Sequence, residues 1–268
     1  MKKGFTITEL LVAMGLLAAV LAASTMIFHY AIEAQRTAMA TADIMRTLRT
    51  ITDQLNADFA GLRSSDAPMI IKFHGDPNDS NETDSIVFFA NGDFQDSNGV
   101  VRGDVARIYY GQSKSPDPNN PNLGKQKILA RKPVILEPNQ TVSTNEYEPN
   151  SLSQLVNRYL AVDPNTNGNI AKWIARPDVN STNAGSIPMY LAKGVDDFSI
   201  RYCYRNDTTG GLINWHRPVN EKRYFGLLPR YSYFKKYPDS IKFTFTLYDS
   251  KGILKTGRRF EHIVYTRN

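Results

Sequence analysis

The residues whose types and spacing could do chemistry lie at the extreme N-terminus. Lys2 and Lys3 lead into Gly4, Phe5 follows, and an apolar run extends to Tyr30 with a single charge in it, Glu9. A carboxylate inside a spanning apolar helix costs roughly 2.5–3.5 kcal/mol on insertion scales, so it marks function and calls for a partner. An α-amino group is one such partner. Cleavage after Gly4 would create one at Phe5, at the same end of the bilayer as Glu9 on a neighbouring copy of the helix.

The run G-F-T-x-x-E-L-L-V-A behind a basic leader resembles the prepilin processing signal shared by type IV pilins and type II secretion pseudopilins. Thr8 departs from that pattern, standing where the family usually has Ile, Leu or Val. The resemblance implies cleavage after Gly4 by a prepilin peptidase and N-methylation of Phe5 as the new terminus. It assigns Glu9 to assembly. It also implies a non-enzymatic minor pilin or pseudopilin, built into a type IV pilus or type II secretion pseudopilus, at its tip or initiation complex. The implied partners are other pilin subunits, the peptidase and the inner-membrane assembly platform. The alternative is a Sec-exported soluble binding protein or enzyme whose signal peptide ends near Val20-Leu21-Ala22. Against it, an acid inside the apolar region is unusual, and the helical pattern continues past that cut.

The elements that position these residues follow from periodicity. Residues 5–30 form a helix of about 39 Å at ~1.5 Å per residue, enough to cross a ~30 Å hydrocarbon core with Lys2 and Lys3 on the cytoplasmic side. Beyond it, Met45, Leu48, Ile51, Leu55, Phe59 and Leu62 recur at steps of three and four, giving one apolar stripe. One helix is therefore expected from about Phe5 to Gly61, capped at Gly61 and stopped by Pro68. Its first half is apolar all round and its second half amphipathic. With the cleavage that the resemblance implies, the chain divides into a leader (1–4), a transmembrane helix (5–30) and a globular unit (31–268) that includes the amphipathic half-helix. The implied location is the bacterial inner membrane with the globular unit periplasmic.

After Met69 the period changes to two. Ser85–Ala90, Val105–Tyr110, Lys127–Leu136 and Phe198–Tyr204 read as strands, separated by turn clusters at 76–84, 91–99 and 115–124. Ser151–Leu160 suits a short helix and 163–186 a loop. Ile241, Phe243, Phe245 and Leu247 alternate with Lys242, Thr244 and Thr246, so one face is buried. The turn residues Asp249 to Gly252 then lead into a partner strand, Arg259–Tyr265. The fold class is α+β: a long N-terminal helix against antiparallel sheet, which resembles the pilin fold. A finer resemblance, to J-type pseudopilins and W-type minor pilins, rests on Arg49, Leu55 and Asp58, then Val195–Tyr202, Trp215, Pro229 and Ser240–Leu247.

Composition restricts the remaining chemistry. The formal charge is +6, a mild excess that does not call for a nucleic-acid partner. The lone Cys203 precludes an internal disulfide and reads as a buried small apolar residue. The four histidines lack metal-ligand spacing. No catalytic or phosphate-binding motif occurs, so neither cofactor nor metal is expected. Asp163–Ile170 begins like a calcium loop, but Ile174 stands where its closing glutamate belongs. The stretch Lys222–Tyr237 interleaves aromatic and basic residues. It suits an edge strand with solvated cations, a protein interface through Arg223, Tyr224, Phe225, Arg230, Tyr231, Tyr233 and Phe234, or base stacking.

Overall fold

The computed structural model describes residues 6–62, 69–73, 83–95, 102–113, 127–137, 146–147, 176–179, 188–204, 208–209, 212–216, 230–234, 237–249 and 251–266. Helix α1 spans Ile7–Ala60 without a break. No proline interrupts it, and Gly15 is its only glycine. Thr6 is its N-cap and Gly61 its C-cap. Gly61 has an ordinary φ of −85°, so conformational freedom is not what demands glycine here. A Cβ would collide with the Asn91 carbonyl oxygen, while the Gly61 carbonyl accepts the Asn91 N–H at 2.7 Å. Gly61→Ala should therefore lower stability by about 1–3 kcal/mol, as overpacking does, in thermal unfolding of the full chain in detergent.

The strands follow in two groups. Those along the first part are β1 (Met69–Phe73), β2 (Ser85–Gln95), β3 (Arg102–Gln112), β4 (Ile128–Glu137), β5 (Glu146–Tyr147) and β6 (Tyr190–Lys193). The rest are β7 (Val195–Cys203), β8 (Thr208–Thr209), β9 (Leu212–Ile213), β10 (Arg230–Phe234), β11 (Ser240–Leu247) and β12 (Arg258–Tyr265). A seven-stranded sheet runs β10-β1-β2-β3-β4-β5 with β6 also on β4, and a three-stranded sheet runs β12-β11-β7. β8 and β9 form a small ribbon of their own. The fold is the expected α+β arrangement of a long N-terminal helix on antiparallel sheet, with the strands divided among these sheets and one parallel pairing, β4 with β5.

One core joins them. Ile44, Ile51, Leu55 and Phe59 of α1 pack with Ile86, Phe88 and Tyr110 of the larger sheet and Phe198, Phe243 and Phe245 of the smaller. Phe59 bridges the two, its ring centroid 4.3 Å from Phe88 and 5.8 Å from Phe243. The buried helix positions are Ala40, Ile44, Ile51, Leu55, Asp58 and Phe59. This shifts the expected stripe: Met45 is 51% exposed, and its neighbour Ile44 is inside. The cluster at 91–99 is corrected in its first five residues, and 96–99 lie outside the described residues. Asn91 to Gln95 continue β2, with an irregularity between Asn91 and Phe94 as Phe94 and Gln95 pair with Gly103 and Arg102. The turn after β11 has the expected chemistry. Asp249 accepts the N–H groups of Ile253 and Leu254 at 2.7 and 3.0 Å, and Gly252 adopts φ 68°. Cys203 is buried, its Sγ donating to the Tyr204 carbonyl at 3.2 Å.

Candidate functional site

The first turn of α1 is a capping box. The Glu9 N–H donates to the Thr6 hydroxyl oxygen at 3.3 Å. The Glu9 carboxylate accepts the Thr6 N–H at 2.9 Å and the Thr6 hydroxyl at 2.8 Å. Two otherwise orphaned donors of the helix start are thereby satisfied. The acid that the sequence leaves unpartnered in its apolar surroundings has a local partner in its own chain. That arrangement reduces its burden without neutralising its charge.

Above this turn the helix stands clear of the protein. Every residue from Thr6 to Met39 is exposed except Ser24, which is half-buried. The helix holds an 18-residue window of mean hydropathy 2.4, none of it buried, and is long and apolar enough to cross a membrane. From Ile7 to Tyr30 it measures about 36 Å at ~1.5 Å per residue, slightly more than a ~30 Å hydrocarbon layer. A naked apolar surface of this size needs a nonpolar environment, either lipid or other helices.

The other end of the helix is held by charge. Asp58 lies on the buried face, 5% exposed, one turn from Leu55 and beside Phe59. Arg131 of β4 grips it with two parallel bonds, Nε to Oδ2 at 2.7 Å and Nη2 to Oδ1 at 2.6 Å. The Tyr110 hydroxyl of β3 donates to Oδ2, and Gln54 Nε2 donates to Oδ1 at 3.1 Å. Burial first, and the Asp58 charge second, push the Tyr110 hydroxyl well above its ordinary pKa, so it remains a donor. Burial of Arg131 opposes its charge, but the bonds to Asp58 and its charge outweigh that and raise the pKa. A fully bonded, bidentate pair of this kind fixes geometry as well as energy. It ties the last turn of α1 to the larger sheet.

Residues 1–25 match the family model described as the prokaryotic N-terminal methylation motif. The chain carries a prepilin-type N-terminus. No curated protein matches the chain. Among solved structures, a chain of the GspK-GspI-GspJ complex from the enterotoxigenic Escherichia coli type 2 secretion system aligns at 11% identity. It covers 84% of this chain and 98% of its own, with a TM-score of 0.37.

Of the residues expected to matter, Glu9 sits in the first turn of the prepilin-type N-terminus, while Gly4 and Phe5 lie outside the described residues. Arg230, Tyr231, Tyr233 and Phe234 fall on β10, which pairs with β1 at the margin of the larger sheet. This is the edge-strand placement considered for that stretch. Arg223, Tyr224 and Phe225 lie outside the described residues, as do the segment 163–170 and the short helix expected at 151–160. The structure does not bring Glu9 near β10. Sequence reasoning treated Asp58 only as a point of likeness. Its signal was available: an acid three residues after Leu55 and four before Leu62, on an otherwise apolar stripe, must be paired.

Proposed function

We propose that this chain is a minor pilin or pseudopilin, a non-enzymatic subunit of a type IV pilus or type II secretion pseudopilus. One observation carries the proposal: the methylation motif opens a single helix that is apolar to Tyr30 but for Glu9, stays clear of the protein through Met39 and then becomes part of the core. A subunit that waits in a bilayer and is later drawn into a filament needs both halves on one rigid rod. In the membrane the bare half is solvated by lipid tails, and in the filament by neighbouring helices. Gly4 is the cleavage site, Phe5 the methylated terminus and Glu9 the assembly carboxylate that attracts the Phe5 amine of an adjacent subunit. Burying both charges together offsets a cost that each would bear alone. The broad head, two sheets and a ribbon, suits a tip or initiation position better than a close-packed shaft. The partners are then other pilin subunits, the prepilin peptidase and the assembly platform, with the chain in the inner membrane and its head periplasmic.

Mass spectrometry of the protein purified from cells that possess the peptidase tests this reading. The expected terminus is N-methylated Phe5, and Gly4→Val should abolish processing, because the cleavage site has no room for a side chain. A terminus near Ser24 would identify a secreted soluble protein instead, and an intact Met1 would sink the assignment.

A further inference from the structure

The hairpin between β11 and β12 lies at a particular end of the protein. β12 runs alongside α1: Arg258, at its start, donates from Nη2 to the Thr41 hydroxyl at 3.3 Å, and His262, further along the strand, meets Asn56 at 2.9 Å. The described part of the connection, 248–249 and 251–257, therefore sits at the end where α1 leaves the head, one residue past Ala40, the first buried helix position. Its shape is held by Asp249, by the left-handed Gly252 and by the Tyr248 N–H bonded to the Gly194 carbonyl at 2.9 Å. What it presents is basic and partly apolar. Lys251, Lys255, Arg258 and Arg259 are exposed, and Ile253 is 37% exposed. Lys251, Lys255 and Arg259 make no ion pair among the described residues.

Nearby acids do not cancel this charge. Asp249 is committed to two backbone N–H groups. Asp196 pairs with Lys127 at 2.6 Å, Asp197 accepts the Thr246 hydroxyl, and Glu261 faces Lys242 at 3.5 Å. On α1 the described carboxylates toward this end are Glu33 and Asp43. Distances suit a surface just beyond the apolar helix. From Tyr30 to Thr41 the rise is about 16 Å at ~1.5 Å per residue, of which a headgroup layer fills roughly 5–8 Å. Five residues of the loop can span up to about 16 Å, and a helix tilt near 20° lowers one flank of the head further.

We propose that this hairpin is a foot that docks on anionic phospholipid headgroups while the subunit is held in the bilayer. The inference rests on the membrane-spanning reading above. Lys251, Lys255 and Arg259 supply the attraction, and Ile253 enters the interface between them. Docking sets the tilt of α1 and must be released when the subunit is extracted, so the foot favours the waiting state.

The test uses the full chain in vesicles, with Cys203→Ala to remove the buried thiol and Thr256→Cys carrying a nitroxide label. A lipid-tethered nickel chelate reports how close the label comes to the headgroups. In phosphatidylglycerol-rich vesicles at low salt, relaxation should be severalfold greater than in phosphatidylcholine, and high salt should erase the difference. Each cation near the surface is worth roughly fivefold in the docked-to-free ratio. The triple change Lys251→Glu, Lys255→Glu, Arg259→Glu should therefore remove the lipid dependence. All three side chains are exposed, so the fold should survive, and Gln replacements provide a milder series. Equal relaxation in both lipids, or a charge-reversed variant that behaves like its parent, overturns the proposal. So does a reversed variant with unchanged label depth but reduced filament incorporation, which would make the hairpin a contact for an acidic protein. Loss of the chain on alkaline carbonate extraction would instead refute the membrane span itself.

Discussion

Asp58→Ala should cost about 3–5 kcal/mol of stability, because it strands a half-buried guanidinium and a buried phenol at once. That is a large share of the roughly 5–15 kcal/mol that holds an ordinary domain together. Thermal and denaturant unfolding of the full chain in detergent would measure it. Asp58→Asn should fall between the two. It keeps an acceptor for the Tyr110 hydroxyl but leaves the Arg131 charge, 18% exposed at its side chain, without its counter-ion. The instructive variant is the apolar one. Replacing Asp58 by Leu, Arg131 by Met and Tyr110 by Phe together should recover most of the loss, since well-packed apolar residues often match a buried ion pair. If the triple variant is as stable as the parent but α1 shifts relative to β3 and β4, the pair specifies register rather than stability. If Asp58→Ala unfolds at the parent's midpoint, the network contributes nothing and apolar packing alone seats the helix.

This network also marks where sequence reasoning stops. Asp58 and Arg131 are 73 residues apart, and no local pattern links them. The helix, by contrast, was legible almost to the residue. Its start has a Thr-x-x-Glu box and its end a glycine, both local signals. The phase of its buried stripe was less so. Ile44 and Met45 are adjacent and both apolar, and only the sheets decide which one turns inward. The strands after Met69 were found by their alternation, but their partition into two sheets was not, because strand order depends on pairings far apart in sequence. β2 shows the competition directly. Asn91 to Gln95 have turn-forming composition, yet Phe94 opposite Gly103 keeps the ladder going, so tertiary pairing overrides local preference. The Asp249 turn needed no such help, since its side chain and Gly252 supply everything locally. At the N-terminus the motif singles out Glu9 as a position of interest. It did not reveal that Thr6 already satisfies it, although the box T-x-x-E was in plain view.

That double engagement makes Glu9 testable in a way that the charge alone would not. As a cap, the carboxylate accepts the Thr6 N–H and hydroxyl. As an assembly group, it would attract the Phe5 amine of a neighbouring subunit. At about 4 Å and an effective dielectric of 20, that attraction is of order 4 kcal/mol before desolvation is subtracted, whereas a helix cap is worth about 0.5–2 kcal/mol. Glu9→Gln separates the two, because glutamine at this position still completes a capping box but carries no charge. Glu9→Leu removes both functions and sits more comfortably in lipid than the parent. Cleavage after Gly4 and membrane insertion should proceed in both variants. Cross-linking to partner subunits in cells should then show both poorly recruited, and the leucine variant no better than the glutamine one. Wild-type recruitment of Glu9→Gln with loss in Glu9→Leu would make the residue a helix cap and nothing more. Wild-type recruitment of both would leave partner choice to the packing of the bare apolar helix.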